Sequence, residues 1–347
     1  MNLIDKTHAE SLHDKLMKAS VITAVAHTHP DGDAVGSVTA VCSFLKMLGK
    51  DAEIVLPEPI DGNIGFITDW KQVISGTMDP QKARNRILGS DLVICLDFNS
   101  FSRAGCLEEA LRESKADKVL IDHHIGPDAK SFSLVFSRCE VSSACEMLFW
   151  ILMEMPEIGH DPSRLPKEAA MALMAGMTTD TNNFGNSVFP STLEMASMLL
   201  AAGVDRDAIV ARINNMYREN RLRAMGWLLK DEMTITEDGV AYMIMTSDIL
   251  EEYDIREGET EGFVNLPLAI EKVRMSIMLK ADGDHYRVSV RSKKGTSANL
   301  CARNWFNGGG HENAAGGKLF VPKDVPSFDR KDAAEYIEKA TRTFFRQ

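Results

Sequence analysis

The sequence predicts an α/β protein with a doubly wound, mainly parallel sheet, followed by a smaller α/β domain at the carboxyl end. Two observations support the first part. The apolar runs 21–25, 91–96 and 118–121 each end in carboxylates or imidazoles, and segments with helical periodicity separate them. Parallel strands joined by helices bind ligands at the carboxyl ends of the strands. We therefore expect one functional site at that rim, in a chain whose 347 residues suffice for two domains.

The first predicted strand leads into a polar turn with the pattern H-x-x-x-D-x-D. A β-branched run predicts the buried strand at 21–25, and a helix is expected to start near Ala34. His27, Asp31 and Asp33 lie between them, and one imidazole with two carboxylates suits a divalent metal. On this segment alone a capped turn is an equal alternative, because Asp is common at helix starts and Asp-Gly marks turns.

The remaining elements of the first domain follow from periodicity and turn residues. A short strand at 53–56 precedes residues 57–80, whose Pro, Gly and Asp content predicts loops with little regular structure. The later strands end at Asp97 and Asp122. Apolar periodicity predicts an amphipathic helix at the amino terminus and further helices at 34–49, 141–155, 166–177, 191–202, 205–214 and 215–231.

Strand signals change character in the last third of the chain. The segments rich in β-forming residues are 240–246, 272–280 and 285–291. Asp282-Gly283 predicts a hairpin turn between the last two, and a closing helix is expected from Arg330 to Phe345. We therefore expect a catalytic domain at 1–215, a helical linker at 216–230 and a substrate-binding domain at 231–347.

Composition and charge exclude several classes of protein. A net charge of −11 argues against a sequence-independent binder of long nucleic acid, because counterion release requires a broad basic face. The amino terminus has no apolar h-region and no stretch suits a bilayer span, so we expect a cytoplasmic protein without a signal peptide or membrane contact. Six cysteines without a C-x-x-C pair lie mostly in apolar runs and are expected to be reduced core thiols: Cys42, Cys95, Cys106, Cys139, Cys145 and Cys301.

Six side chains at predicted strand or helix ends are candidate metal ligands. Two imidazoles and four carboxylates can hold two divalent ions, and such a pair stabilises both the attacking and the leaving oxygen at phosphorus. The alternatives are a helix N-cap for Asp97 and an Asx-turn for Asp180. The pair His123-His124 after Asp122 is harder to explain by packing. The candidate ligands are His27, Asp31, Asp33, Asp97, His123 and Asp180.

A basic run marks the second domain. Between His285 and His311 the chain has five Arg or Lys residues and no Asp or Glu, although the protein is acidic overall. The run ends at the glycines 308–310, whose backbone can approach a ligand closely and present N–H groups to phosphate. An exposed hairpin with solvated charges is the alternative. The cations are Arg287, Arg291, Lys293, Lys294 and Arg303.

Five motifs in order resemble those of the DHH phosphoesterases, and they span almost the whole chain. The triplet Asp122-His123-His124 corresponds to the motif that names this family. The last motif is similar to the hallmark of the DHH-associated (DHHA) domain. The motifs are HTHPDGDAVGS at 27–37, LDFNSFSRAG at 96–105, IDHHIG at 121–126, TTDTNNF at 178–184 and GGGHENAAGG at 308–317.

The resemblance implies roles for these positions and a pair of manganese ions. One ion would be held by His27, Asp31 and Asp97, and the other by Asp33, Asp97, His123 and Asp180, so Asp97 would bridge them. His124 would contact the substrate phosphate, Asp122 would orient the histidines, and Arg103 would join them in catalysis. Substrate contacts would come from Arg291, Ser292, Gly308, Gly309, Gly310 and His311.

Two positions depart from the pattern that many relatives share. His29 replaces an Asn, and we expect it to make a hydrogen bond in the turn rather than bind metal. Asn182 replaces a frequent Gly, and since Asn tolerates a left-handed backbone we expect the loop shape to be kept. Neither departure removes a predicted ligand.

Within the family, the GGGH motif and the chain length look most like the oligoribonuclease and pAp-phosphatase branch. The resemblance implies a manganese phosphohydrolase for short oligoribonucleotides, dinucleotides such as pApA, or 3′-phosphoadenosine 5′-phosphate (pAp), but not for long nucleic acid. A homodimer is compatible with it. One alternative is an exopolyphosphatase or pyrophosphatase-like enzyme, which would need no base-stacking surface such as Phe184 or Phe306. The other is a nucleotide-binding regulator without catalysis, which predicts a missing ligand.

Overall fold

The structure is a computed structural model, and it describes residues 3–60, 64–214 and 217–346. The chain divides into two compact units, Met1–Met216 and Tyr217–Gln347. Two parts of the sequence predictions, residues 61–63 in the loop region and residues 215–216 at the start of a helix, lie outside the described residues.

The first unit is built on a six-stranded sheet in the order β3-β2-β1-β4-β5-β6, and each described neighbouring pair is parallel. The chain winds from β1 to one edge and then from β4 to the other, which confirms the predicted doubly wound sheet. The strands are β1 (Val21–Val25), β2 (Asp51–Leu56), β3 (Val73–Ser75), β4 (Leu92–Leu96), β5 (Asp117–Asp122) and β6 (Leu134–Ser137).

The two edge strands are absent from the sequence predictions. The strand β3 lies in the region that is expected to consist of loops with little regular structure, and the sequence does not predict a strand there. It has three residues, and β6 has four, of which only alternate ones are buried. Neither strand forms the long apolar run that identifies the central strands.

Helices cover both faces of this sheet, with one hydrophobic core on each face. Most predicted helices are present with ends shifted by a few residues. The largest change near the site is that α2 begins at Gly32, because Asp31 caps it. The helices are α1 (Lys6–Lys18), α2 (Gly32–Met47), α3 (Pro80–Leu88), α4 (Glu108–Glu113), α5 (Ala144–Met153), α6 (Lys167–Asp180), α7 (Pro190–Ala201) and α8 (Arg206–Asn214).

Glycines allow α2 and α6 to touch backbone to backbone. A Cβ atom at Gly36 would lie 2.6 Å from the carbonyl oxygen of Ala172, and one at Gly176 would lie 2.3 Å from Cys145 Sγ and 3.2 Å from Asp33 Cα. Contacts under about 3 Å force neighbouring atoms to shift, and overpacking of this kind costs about 1–3 kcal/mol. The crossing therefore holds the first turn of α2 against the last turns of α6.

The second unit has a mixed sheet in the order β11-β12-β10-β9-β8-β7. Strands β9 and β10 form the predicted hairpin, while β8 and β9 are parallel. The strands are β7 (Thr234–Ile235), β8 (Val240–Met245), β9 (Met275–Asp282), β10 (His285–Ser292), β11 (Gly309–Gly310) and β12 (Ala314–Phe320). The helices are α9 (Glu219–Trp227), α10 (Ser247–Glu252), α11 (Ala298–Trp305) and α12 (Arg330–Phe344).

Cysteine positions agree only in part with expectation. All six are unpaired in the described residues, and four of them are buried. Cys106 and Cys139 are exposed, so the predicted core position is wrong for these two. In the same described ranges, no helix combines the length and the apolarity needed to cross a bilayer.

Candidate metal and phosphate site

The six predicted metal ligands come together at the carboxyl ends of β1, β4 and β5 and at the adjoining ends of α2 and α6. The sheet order changes direction between β1 and β4, which is where ligand sites form in open α/β sheets. Three groups of side chains have ligand atoms within 4.8 Å of one another: His27 with Asp31 and Asp97, Asp33 with His123 and Asp180, and Asp97 with His123 and His124.

Asp31 both caps a helix and lies among the ligands. Its Oδ1 accepts hydrogen bonds from the backbone N–H groups of Asp33 and Ala34, each at 3.0 Å. The same oxygen lies 3.9 Å from His27 Nε2. The capped turn and the metal ligand, which are alternatives in the sequence, are therefore compatible in the structure.

Asp33 is held by the first turn of a second helix. Its side chain is 1% exposed and accepts hydrogen bonds from the backbone N–H groups of Ala144 at 2.6 Å and Cys145 at 2.8 Å. Ser143 caps the same helix, α5. Unpaired N–H groups at a helix start favour an anion, so α5 orients this carboxylate.

Asp97 lies at the centre of the cluster and has a strained backbone. Its φ angle is +62°, an uncommon value for a residue other than glycine, and its side chain is 2% exposed. Oδ2 lies 3.2 Å from His27 Nε2, and Oδ1 lies 3.4 Å from His123 Nε2. The N-cap alternative is wrong, because Ser100 precedes the next helical turn.

Asp180 completes the second group from α6. It is the last residue of that helix rather than part of a separate Asx-turn. Its Oδ2 lies 3.8 Å from His123 Nε2, and Asp33 Oδ2 lies 3.9 Å from the same nitrogen. His123 is therefore surrounded by three carboxylates, with Asp97 the nearest.

This donor set fits two divalent ions. Ligands about 2.1 Å from one ion lie up to about 4.2 Å apart, so the two groups need only a small contraction. The two oxygens of Asp97 are directed at histidines of different groups, as a bridging carboxylate requires. Mixed nitrogen and carboxylate ligands are compatible with manganese, iron, cobalt or zinc.

The cluster shifts the pKa values of its members. Burial would lower the pKa values of His27 and His123, but the hydrogen bonds that they donate to Asp97, together with the neighbouring negative charges, raise them to about 9 and about 10. Burial would raise the pKa of Asp97, yet the two histidines hold it below its usual range. Burial and the nearby charges raise the pKa of Asp180 to about 7, and that of Asp33 well above its usual value. At neutral pH an incoming ion must displace protons.

We expect manganese affinity to rise with pH between about 6 and 10, with release of protons at pH 7. The pKa values of His27 and His123 exceed the usual 6.5, so their pairing stabilises the metal-free fold fully below pH 6.5. This stabilisation is lost as pH rises through about 9 and 10. Calorimetric titration in two buffers of different ionisation enthalpy measures the protons, and Tm against pH measures the stability.

The metal-loaded protein is the control for this pH dependence. Since bound metal keeps both imidazoles neutral, its Tm should fall less between pH 7 and pH 10 than that of the metal-free protein. Metal binding without proton release at pH 7 would contradict the assigned protonation of the histidines.

His124 is oriented by a buried carboxylate. Asp122 is fully buried, and its Oδ1 accepts a hydrogen bond from His124 Nδ1 at 2.7 Å. The same nitrogen lies 3.8 Å from Asp97 Oδ1. Asp122 therefore fixes the orientation of the imidazole ring beside Asp97.

Arg103 connects two loops at the rim. Its side chain is half-buried, and its backbone carbonyl accepts a hydrogen bond from the N–H of Thr28 at 2.8 Å. Gly105 has a φ angle of +52°, and a Cβ there would lie 2.3 Å from Thr28 Cγ2. The loop after β4 is thus fixed against the loop after β1, next to His27.

The two departures from the family pattern leave the ligands in place. The backbone N–H of His29, rather than its ring, donates to Glu58 at 2.5 Å, and the ring lies outside the three ligand groups. Asn182 has a φ angle of +47°, which confirms the expected left-handed backbone.

The second unit engages much of the basic run in its own structure. Arg291 is half-buried and donates to the carbonyls of Val290 at 3.0 Å and Ala315 at 3.2 Å, and burial lowers its pKa. Ser292 is buried and donates to Thr296 O at 2.6 Å. Arg287 forms an ion pair with Glu257 at 2.6 Å, so the run is less positive than its sequence suggests.

Close packing of the backbone explains the glycines at 308–310. A Cβ at Gly308 would lie 1.9 Å from the carbonyl oxygen of Gly316, because the chain there packs directly on β12. The N–H of Gly310 donates to Asn299 Oδ1 at 3.1 Å, while Gly309 is half-buried. His311 is exposed at the turn that follows.

The proposed stacking aromatics differ in exposure. Phe306 is fully buried in the second core, so it is wrong as a base-stacking surface. Phe184 is half-buried against the first core, and the guanidinium of Arg206 lies 5.2 Å from its ring centre. Of these two aromatic residues, Phe184 alone remains a candidate for stacking on a base.

Comparison with known proteins identifies two segments that contain most of these residues, although Asp180 lies just beyond the first. A family model described as DHH family, N-terminal domain, matches residues 21–177, and a DHHA1 domain model matches residues 238–339. An exopolyphosphatase-related protein from Bacteroides fragilis has a crystal structure with a TM-score of 0.92 at 31% identity, covering 99% of this chain and 98% of that one.

Two sequence relatives have names that describe an activity. The bifunctional oligoribonuclease and PAP phosphatase NrnA of Thermus thermophilus is 27% identical over 92% of this chain and 89% of its own length. The cyclic-di-AMP phosphodiesterase PdeA of Listeria monocytogenes is 26% identical over 57% of this chain, which spans 30% of that protein.

Proposed function

This chain belongs to the DHH family and carries a DHHA1 domain, and we propose that it is a manganese-dependent phosphohydrolase with two metal ions. Its substrates would be short oligoribonucleotides, dinucleotides such as pApA, and pAp. The observation that carries the proposal is Asp97, whose two oxygens lie 3.2 Å from His27 and 3.4 Å from His123.

The residues around this carboxylate have the roles that phosphoester hydrolysis requires. Two divalent ions, when bound, activate water and neutralise charge at phosphorus. Asp122 accepts a hydrogen bond from Nδ1 and so orients the His124 ring, which would contact a phosphate oxygen through Nε2. Arg103 would add positive charge at the rim, where developing charge on the phosphate needs compensation.

The substrate class rests on a relative and on the charge of the chain. The Thermus relative that covers most of this chain is named an oligoribonuclease and PAP phosphatase. A net charge of −11 offers a long strand little counterion release. The partly neutralised basic run of the second unit suits a few phosphates rather than many.

An exopolyphosphatase is the second candidate, because the Bacteroides protein with 31% identity is named exopolyphosphatase-related. Polyphosphate needs no stacking surface, and the half-buried Phe184 is a modest one. A regulator without catalysis is less well supported, since the six predicted ligands are present and close together.

A substrate panel tests the proposal. Phosphate or nucleotide release would be measured from pAp, pApA, five-nucleotide RNA, RNA tens of nucleotides long, pyrophosphate and polyphosphate, with and without Mn²⁺. We expect manganese-dependent cleavage of the first three and poor cleavage of long RNA. Faster turnover of polyphosphate than of pApA would favour the second candidate.

We expect Arg291→Ala to raise KM for pAp and dinucleotides several-fold with little change in kcat. A guanidinium that binds a phosphate remote from the cleaved bond contributes to binding in the ground state and in the transition state alike. The measurement is steady-state kinetics on pApA and on bis(p-nitrophenyl) phosphate, which lacks a remote phosphate.

Arg274→Ala is a suitable control for this variant. It removes an arginine of the same unit whose guanidinium lies 3.7 Å from the Phe345 ring centre and donates through Nε to Asp238 O, whereas Arg291 makes its hydrogen bonds to the described residues through Nη1. Equal loss of activity on both substrates in Arg291→Ala would contradict a role at a remote phosphate.

A further inference from the structure

Two arginines of the first unit differ from the rest in that their side chains have no partner among the described residues. Of the eight arginines in this unit, six contact a carboxylate, an amide or an aromatic ring. These are Arg84, Arg86, Arg112, Arg164, Arg206 and Arg212. The side chains of Arg103 and Arg138 make no hydrogen bond, ion pair or ring contact with the residues that the structure describes.

Both of these arginines lie at the rim that carries the metal ligands. Arg103 belongs to a sequence motif already discussed, whereas Arg138 follows β6, a strand that the sequence analysis misses. Ser137 pairs with Asp122 in the parallel register, and the N–H of Arg138 donates to the carbonyl of Asp122 at 3.3 Å. Arg138 is therefore level with His123, one strand away.

The position of Arg138 suggests which part of a substrate it can reach. Neighbouring strands are about 4.8 Å apart, and β6 lies beyond β5 from the strands that carry His27 and Asp97. A side chain there is beside the metal cluster rather than within it. It can reach a group next to the reacting phosphate, but the reacting phosphate itself belongs to the metal ligands and His124.

Charge supports an anionic ligand at this position. The cluster beside Arg138 has four carboxylate ligands, and the chain as a whole carries 50 acidic and 39 basic residues. In such surroundings a surface arginine normally finds a carboxylate partner, as four of the six partnered ones do. Arg138 is exposed, and even Glu140 nearby forms no ion pair with it in the described residues.

We propose that Arg138 binds the non-bridging oxygens of a second, uncleaved phosphate and so selects substrates with two phosphates over those with one. A guanidinium binds phosphate through two parallel hydrogen bonds, which a lone metal site cannot provide for a neighbouring group. The inference rests on the proposed function and makes it more specific: 5′-phosphorylated pApA would bind better than ApA, which has only the cleaved phosphodiester.

The test is a kinetic comparison of pApA with ApA in the presence of Mn²⁺. Arg138→Ala should raise KM for pApA about tenfold, with kcat within about twofold, and should leave both constants for ApA unchanged. Arg138→Lys should restore part of the affinity, because a lysine keeps the charge but loses the paired hydrogen bonds.

Arg164→Ala is the matched control. Arg164 is also an exposed arginine of the first unit, but it lies between the carboxyl end of α5 and the amino end of α6, away from Asp33 and Asp180. It should change neither substrate's constants. Unchanged constants for pApA in Arg138→Ala, or an equal loss on pApA and ApA, would overturn the proposal.

Failure of the proposed function gives a different result. In that case the unmodified protein cleaves neither dinucleotide, and equilibrium binding of pApA to the unmodified protein and to Arg138→Ala decides the matter. Binding about tenfold weaker in the variant supports the arginine as a phosphate ligand, while equal binding overturns it.

Discussion

Asp97→Asn should remove both metal ions and lower phosphohydrolysis by about three orders of magnitude or more. Asp97 is the residue whose two oxygens lie against histidines of both ligand groups, so neutralising it weakens both. Asn keeps the shape of the side chain and tolerates the φ angle of +62°, so the fold should remain. Metal analysis of the purified protein and turnover of pApA measure the two effects.

Asp91→Asn is the control at the other end of the same strand. Asp91 accepts hydrogen bonds from the N–H groups of Ser20 and Val21, each at 2.9 Å, and it precedes β4 at the amino edge of the sheet. It should retain metal and turnover. Two ions and near-normal turnover in Asp97→Asn would show that the bridging assignment is wrong.

His124→Ala should lower turnover about 100-fold or more while the metal content stays near that of the unmodified protein. The structure offers two possibilities for this side chain, because His124 forms one of the ligand groups with Asp97 and His123. The hydrogen bond from Nδ1 to Asp122 at 2.7 Å fixes the orientation of the ring, and the proposed contact with phosphate is through Nε2. Metal content and kcat together distinguish the two roles.

Asp122→Asn is the companion variant, which removes the negative charge next to His124 but keeps the hydrogen-bond acceptor. An amide accepts the same hydrogen bond but does not stabilise a charged imidazole, so we expect a smaller loss of turnover and unchanged metal content. Loss of one ion in His124→Ala would mean that His124 is a ligand and that the two adjacent histidines have been given the wrong roles.

The central part of this fold was predictable because its signals are local. The buried strands are apolar runs, and each predicted ligand except Asp180 lies within eight residues after one of them. Asp180 was predictable in the same way, because it lies at the end of an apolar helix. Such patterns reveal which end of each element carries polar side chains, and the parallel sheet then brings those ends together.

The parts that could not be predicted depend on contacts between distant segments. Asp33 receives two backbone hydrogen bonds from α5 across 111 and 112 positions of the sequence, and nothing near either segment indicates them. Arg138 follows a strand too short to recognise. Cys139 lies in the same connection to α5, and its exposed position could not be predicted for the same reason.

The contact of Asp33 with α5 also determines when in folding the site can form. Closing a loop of this length has an entropic cost that must be met before the contact stabilises anything. The ligands therefore converge only in a nearly complete fold, and an ion that needs all of them cannot assist the early steps. Metal binding should then slow unfolding and leave the refolding rate almost unchanged, which confers kinetic stability on the finished domain.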